Sequence, residues 1–399
     1  MSPRASPLAA PAQGLLRLSG CAGGRDAPPM VVRTTPPSVP ESAIPLALDQ
    51  WRRIVVDSAR PGRAIFVIPA DLDGDGRPAI VTGAWLYQAG EGTLERWHRR
   101  RIGAGVGNAA AVADLNADGI LDLLGTRGGG DNPESRDFVL RLGTGRGGFT
   151  RGQPIRPGQG DFLQGVAVGH FAFARGAEVA LSWHQPGSGV QLLFPPAGSV
   201  GGLGWRTISE FSQDEQLTAA DLNRDGRTDL VLGTRWLRNL PNGFVLDTID
   251  ADSASPDRNR VADIDGDGWP DVVVGFEAIS VPGPLRWYRN PGQGGPDWGR
   301  HEIDSVVGPM SLDLGDLDLD GDVDVVVGEH NLEDPASARL LIYENLGAGK
   351  MWRQHVAYTG DEHHDGAQLL DADADGDLDI VSIGWGHNRV VLYQNLAIP

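Results

Sequence analysis

The stretch DLDLDGDVDVVVGEH, Asp316 to His330, places five aspartates at alternate positions of its first nine residues and then becomes a run of valines. Neighbouring carboxylates repel one another and raise one another's pKa, by roughly 1 kcal/mol per close pair even in water. A strand built to be buried cannot follow such a loop unless something offsets the charge. A cation is the simplest candidate.

The same pattern recurs along the chain as DLDGDGRPA at 71, DLNADGILD at 114, DLNRDGRTD at 221, DIDGDGWPD at 263 and DADADGDLD at 371. Between 114 and 221 the step is doubled. There GVAVGHFAFARGAEVAL, residues 165 to 181, keeps the flanking apolar pattern but loses every acid except Glu178. Read as a degenerate copy anchored at His170, it brings the count to seven, at steps of 42 to 56 residues. That spacing belongs to four-stranded blade repeats. Each copy reads as a short apolar strand, the acidic loop, a Val/Ile/Leu strand, a strand ending in an aromatic and often Asn, and a strand opening with an aromatic. The chain ends at VVLYQNLAIP without that fourth strand, while WRRIVVD at 51 precedes the first loop. The expected fold is therefore all-β: a seven-bladed β-propeller of four-stranded antiparallel blades over residues 48–399. The N-terminal strand closes the last blade and removes an open sheet edge.

These repeats, DxDxDGxxD between strands, resemble the FG-GAP or VCBS group that includes the integrin α-subunit propeller. The resemblance covers about residues 48 to 399. In the residues themselves, positions 1, 3, 5 and 9 can turn oxygens toward one centre while glycine at position 6 permits a tight bend. Hard oxygen ligands in a flexible loop favour Ca²⁺ over transition metals. The expected ligands are Asp71, Asp73 and Asp75; Asp114, Asn116, Asp118 and Asp122; Asp221, Asn223, Asp225 and Asp229; Asp263, Asp265, Asp267 and Asp271; Asp316, Asp318, Asp320 and Asp324; and Asp371, Asp373, Asp375 and Asp379. These positions hold 21 of the 53 acids, and six structural Ca²⁺ ions would bring the net charge from −19 to −7. Ala79 replaces the ninth-position acid of the first loop, and the degenerate copy, with His170 and Ala174, should bind nothing.

Strand alternation puts the turn after each second strand on the face opposite the acidic loops. Trp85, Trp183, His184, Trp236, Glu277, Glu329, His330, His363, His364, Asp365, Trp385 and His387 fall there, five of the nine histidines among them. Exposed Trp offers sugar-stacking surface and His a neutral metal ligand or general base. Two readings follow. One is a binding module for a glycan or an extracellular protein, with Trp85, Trp183, His184, Trp236, Glu329, Asp365 and Trp385 as ligand contacts. The alternative is a carbohydrate-active lyase or dehydratase working through His330, His363, His364 and His387; some polysaccharide lyases and sugar dehydratases resemble this architecture as Ca²⁺-loaded propellers, a resemblance that extends to the scaffold alone. Three convergent histidine rings would favour the second. A purely structural role for these side chains, locking blade to blade, stands beside both.

The acidic balance, 34 basic against 53 acidic residues, offers no track for a phosphate backbone and argues against nucleic acid. Cys21 is the only cysteine, so no internal disulfide or thiolate cluster can form. No apolar run approaches the roughly 20 residues of a spanning helix. Residues 22–47 read as a Pro-rich linker. Upstream, Leu18-Ser19-Gly20-Cys21 resembles a lipoprotein signal with a lipid anchor at Cys21, although Arg17, Pro7 and Pro11 interrupt it. Residues 1–21 are thus expected to be that signal or an unstructured start. Ca²⁺ loading suits a secreted, periplasmic or lipid-anchored protein, where the ion is millimolar.

Overall fold

The structure, a computed structural model, describes residues 46–398 apart from 131–135, 156, 162, 172–175, 185–186, 195–203, 214–215 and 253. The expected linker, the signal-like segment with Cys21, and Ala174 of the degenerate loop lie outside the described residues.

The chain enters through β1 (Trp51–Asp57) and then lays down the blades in order. Blade one is β2 (Val67–Ala70), β3 (Ala79–Thr82), β4 (Trp85–Gly90) and β5 (Thr93–Arg101). Blade two is β6 (Asn108–Ala113), β7 (Asp122–Thr126), β8 (Phe138–Arg141) and β9 (Gln153–Pro154). Blade three is β10 (Leu163–Gly169), β11 (Glu178–Trp183), β12 (Val190–Phe194) and β13 (Gly204–Ser209). Blade four is β14 (Thr218–Ala220), β15 (Asp229–Leu232), β16 (Arg235–Leu240) and β17 (Gly243–Thr248). Blade five is β18 (Pro256–Ala262), β19 (Asp271–Phe276), β20 (Pro282–Arg289) and β21 (Gly299–Val307). Blade six is β22 (Pro309–Gly315), β23 (Asp324–Glu329), β24 (Arg339–Asn345) and β25 (Trp352–Thr359). Blade seven has β26 (Gln368–Leu370), β27 (Asp379–Ile383) and β28 (Val390–Asn395), and β1 is its fourth strand, antiparallel to β28 from Trp51 opposite Asn395 to Val55 opposite Val391. The expected seven blades, the degenerate third copy and the closure by WRRIVVD are all present. Blade two departs in detail: its fourth strand is only two residues long and does not open on an aromatic, and Phe149, the aromatic upstream of it, makes a lone bridge to Gly143.

The hydrophobic core is divided into layers between blades. Seven buried clusters occupy the seven junctions, for example Ile264, Trp287, Val325 and Tyr343 between blades five and six. Every second strand is covered on both faces by its neighbours, so β7, β11, β15, β19, β23 and β27 are buried along their whole length. This explains the unbroken Val/Ile/Leu runs, which alternation would otherwise forbid. The outer strands β17, β21 and β25 mix exposed and covered residues.

At four consecutive junctions a third-strand tyrosine adds a polar tie. Tyr288, Tyr343, Tyr393 and Tyr87 donate their hydroxyls to Asp250, Asp304, Asp361 and Asp57, which lie in or just after the preceding blade's fourth strand, at 2.9, 2.7, 2.6 and 2.8 Å. Arg53 of the closing strand forks onto Asp361, its Nη2 at 2.9 Å from Oδ1. Burial works against the Asp361 charge, but Arg53, Tyr393 and Arg389 overcome it and hold its pKa at about 2.

Acidic loops and the opposite face

Six acidic loops share one backbone shape. The amide of the sixth-position glycine donates to the first aspartate in every copy: Gly76 to Asp71, Gly119 to Asp114, Gly226 to Asp221, Gly268 to Asp263, Gly321 to Asp316 and Gly376 to Asp371. Sequence reasoning had foreseen that glycine. It missed the fourth position, which is left-handed in all six loops and is glycine in only two, with Ala117, Arg224, Leu319 and Ala374 in the others.

The ninth-position acid opens the second strand and is buried. Asp324 accepts the amides of Leu317 and Asn345, at 3.0 and 2.9 Å, and Asp122, Asp229, Asp271 and Asp379 are held in the same way. In the degenerate copy Glu178 accepts Phe171 N at 2.7 Å, so the clamp survives where the other acids are gone. Neighbouring loops are also tied together. Asn345 Nδ2 reaches Ile264 O of the preceding loop, Asn290 reaches Leu222 O, and Asn239 reaches Phe171 O, at 2.6 to 3.0 Å. The frequent Asn in the sequence pattern was noticed without this role.

Carboxylate oxygens converge within 4.8 Å of one another in four loops: Asp71, Asp73 and Asp75; Asp263, Asp265 and Asp271; Asp316, Asp318 and Asp320; Asp371, Asp373 and Asp375. The loops at 114 and 221 carry Asn116 and Asn223 at the third position, so two carboxylates and an amide oxygen would share the task there. Burial, added to by neighbouring acids, pushes Asp318 and Asp377 up to about 7; it also lifts Asp122 to about 6, Asp229 and Asp271 to about 7, and Asp324 and Asp379 to about 8. Asp263 Oδ1, Asp373 Oδ1 and Asp377 Oδ1 are buried with no hydrogen-bond partner. An oxygen-only donor set with crowded, partly orphaned carboxylates fits a hard divalent cation, which would supply the missing positive charge.

On the opposite face the structure gathers part of the expected set. His330 Nδ1 lies 2.5 Å from Glu362 Oε1, His364 Nδ1 lies 2.7 Å from Asp365 Oδ2, and the two rings touch with centroids 4.4 Å apart. Asp365 also pairs with Arg258, which reaches from blade five to blade seven. Glu362, which sequence reasoning did not single out, is the hub: it accepts Gly386 N and, through its carbonyl, His387 Nε2 at 2.9 and 3.0 Å. Burial lowers the His330 pKa, whereas at His364 the Asp365 charge and hydrogen bond overcome burial and raise it.

The other two histidines are occupied. His363 is buried, its Nδ1 2.7 Å from Ser382 Oγ, and burial drops its pKa to about 4. His387 Nδ1 accepts Arg389 N at 3.1 Å, which makes its Nε2 the donor to Glu362 and its ring neutral. Among the described residues His330 and His364 are the only histidine rings in contact, so the three-ring convergence expected of a catalytic or transition-metal centre is not formed.

The tryptophans divide as well. Trp385 is half-buried, stacked under Arg63 at 3.8 Å with His364 edge-on at 5.3 Å. Trp85 is half-buried under Arg99 at 4.7 Å. Trp183 and Trp236 correct the expectation: they are 0% and 2% exposed and offer no stacking surface. The segment before β10 lies so close over Trp183 that a Cβ on Gly158 or Gly160 would fall about 2 Å from the indole. Trp236 is packed between blades four and five, edge-on to Trp298. His184 pairs with Asp161 in blade three, Glu329 is forked by Arg339, and Glu277 is exposed.

A family model of FG-GAP-like repeats matches residues 71–125 and 263–327, which carry four of these loops, those at 71, 114, 263 and 316, with the strands between them. The chain is a β-propeller that carries FG-GAP-like repeats. No curated protein matches the chain. Among solved structures, a chain of the crystal structure of BBS1N in complex with ARL6DN, soaked with mercury, superposes with a TM-score of 0.51 at 12% identity, covering 90% of this chain and 98% of that chain. At that identity the likeness concerns the fold alone.

Proposed function

We propose that this FG-GAP propeller is an extracytoplasmic calcium-stabilised binding module that takes a glycan or protein ligand on the face opposite the acidic loops. The observation that carries the calcium reading is the convergence of three carboxylates in each of four loops, with Asp263 Oδ1 and Asp373 Oδ1 buried and unpaired. Asp71, Asp114, Asp221, Asp263, Asp316 and Asp371 with their third-, fifth- and ninth-position partners would hold up to six ions. Cation binding would neutralise the loops and thereby stabilise the fold. Support for the ligand face comes from Trp385 and Trp85, the two tryptophans of the expected set that are only half-buried, and from the exposed side chains Ile279, Val281 and Leu332 on the same face. Extracytoplasmic placement follows from the need for ample calcium at loops of this kind.

The test has two arms. Differential scanning calorimetry with EGTA against 2 mM CaCl₂, about the millimolar level outside cells, should show a rise in Tm of ten degrees or more with calcium. An unchanged Tm rejects the calcium reading. Binding of a glycan panel and of secreted proteins should fall at least about tenfold in Trp385→Ala, while calcium stabilisation is kept. If Trp385→Ala binds as the parent does, the ligand face is elsewhere.

A further inference from the structure

Three acidic loops are each approached by a side chain from the third strand of their own blade, and the chemistry of that side chain differs between blades. In blade seven Gln394 donates Nε2 to Asp373 Oδ2 at 2.6 Å. In blade one a Cβ on Gly147 would lie 3.3 Å from both Gln88 Nε2 and Asp73 Oδ2. In blade five the residue is Arg289: its Nη2 stands 2.5 Å from Asp267 Oδ2 and its Nε meets Asp265 Oδ2.

The blade-five loop is also the one whose geometry differs. In the other three convergent loops the first, third and fifth positions come together. Here Asp263 and Asp265 converge with Asp271, the ninth position, while Asp267 is held by the guanidinium. A protein cation thus already sits on two of the oxygens that a metal would need.

We propose that Arg289 is a resident counter-ion that competes with calcium for Asp265 and Asp267, making the blade-five loop a low-affinity site. This rests on the calcium reading above. A positive charge within a few ångströms opposes an incoming dication, a neutral amide is indifferent to it, and a carboxylate attracts it. Arg289 is half exposed, so it can swing into water when the ion enters. The propeller would then fill in order of calcium concentration, with blade five last.

Trp269, at the seventh position of this same loop, offers a local reporter, because an indole beside a bound terbium ion sensitises its emission. The full chain, stripped of metal, is loaded with terbium and titrated with calcium. The blade-five signal is the part of the emission lost in Trp269→Phe. Arg289→Gln should tighten ion binding at this signal roughly tenfold, and Arg289→Lys, which keeps the charge, should stay within about threefold of the parent. Equilibrium dialysis should give the same number of bound calcium ions in all three. Unchanged affinity in Arg289→Gln, with Trp269-dependent emission present, overturns the competition and leaves the calcium reading intact. Calcium uptake without any Trp269-dependent emission in parent or variant also overturns it, since the loop is then no site. No calcium uptake at all overturns both.

Discussion

Arg224, Leu319, Ala117 and Ala374 stand at the fourth position of their loops with φ between 56° and 63°. A non-glycine residue in that region costs roughly 1–2 kcal/mol, so each of these loops holds its shape against local preference. The amides offered to the first aspartate, as from Gly226 to Asp221 at 2.8 Å, supply part of the compensation. The sixth position has φ between 83° and 102° and glycine throughout. A Cβ added at Gly226 would meet nothing within 4 Å, so Gly226→Ala isolates the backbone term and should destabilise by about 1–2 kcal/mol, in EGTA and in calcium alike. Arg224→Gly should do the reverse, raising stability by up to about 1 kcal/mol in urea titrations. Equal stability of the two variants would show that the loop relaxes. The sixth glycine was legible in the sequence because one residue type recurs. The fourth position was not, since Gly, Ala, Arg and Leu share a conformation without sharing any chemistry. The buried fate of Trp183 was hidden for a related reason: it depends on two glycines about 25 residues upstream that leave room for the indole and nothing else.

Among the elements, the second strands were the most legible, because burial on both faces demands an uninterrupted apolar run and DVVVG supplies one. The fourth strands were less so. Their inner faces are covered and their outer faces wet, and in blade two Gly143 and Phe149 bridge in place of a longer pairing. The opposite-face cluster was legible as a set of residues sharing one face, His330, His363, His364, Asp365, Trp385 and His387, but its internal pairing was not. Which histidine meets a carboxylate and which meets a serine depends on where β26 and β27 bring Glu362 and Ser382, and no spacing encodes that. Closure by β1 rests on its pairing with β28 and on the Arg53–Asp361 fork, so removing residues 48–58 takes away a whole strand and exposes the edge of β28. The truncated chain should lose its single cooperative melt; a calorimetric transition like the parent's would refute the closure as a source of stability. The tyrosine ties are subtler. Tyr288→Phe keeps the ring in its buried place and removes one hydrogen bond to a charged partner, for an expected loss of about 1.5–3 kcal/mol. A loss below about 0.5 kcal/mol would mean that Arg300, which also approaches Asp250, takes over.

For the whole molecule, the acids couple stability to pH in opposite senses with and without the ion. In the metal-free fold Asp122 titrates at about 6, Asp229, Asp271, Asp318 and Asp377 at about 7, and Asp324 and Asp379 at about 8, all raised chiefly by burial above the ordinary carboxylate range. Between about pH 4 and pH 8 the folded chain therefore holds protons that the unfolded chain has released. Stability falls with pH wherever the folded state binds more protons, so the chelated protein should be most stable toward the acid end of that window and weaken as pH rises to 8. Calcium needs those same carboxylates ionised, so its affinity, and the stabilisation it brings, should grow over the same interval. The two effects widen one measurable gap: the difference in Tm between calcium-loaded and EGTA-treated protein should increase steadily from pH 5 to pH 8. The degenerate blade adds nothing to this gap, because only Glu178 remains there of the nine-residue pattern. A gap that stays constant with pH would mean that the ion binds without displacing protons, and the burial of the ninth-position acids would then be a matter of backbone clamping alone.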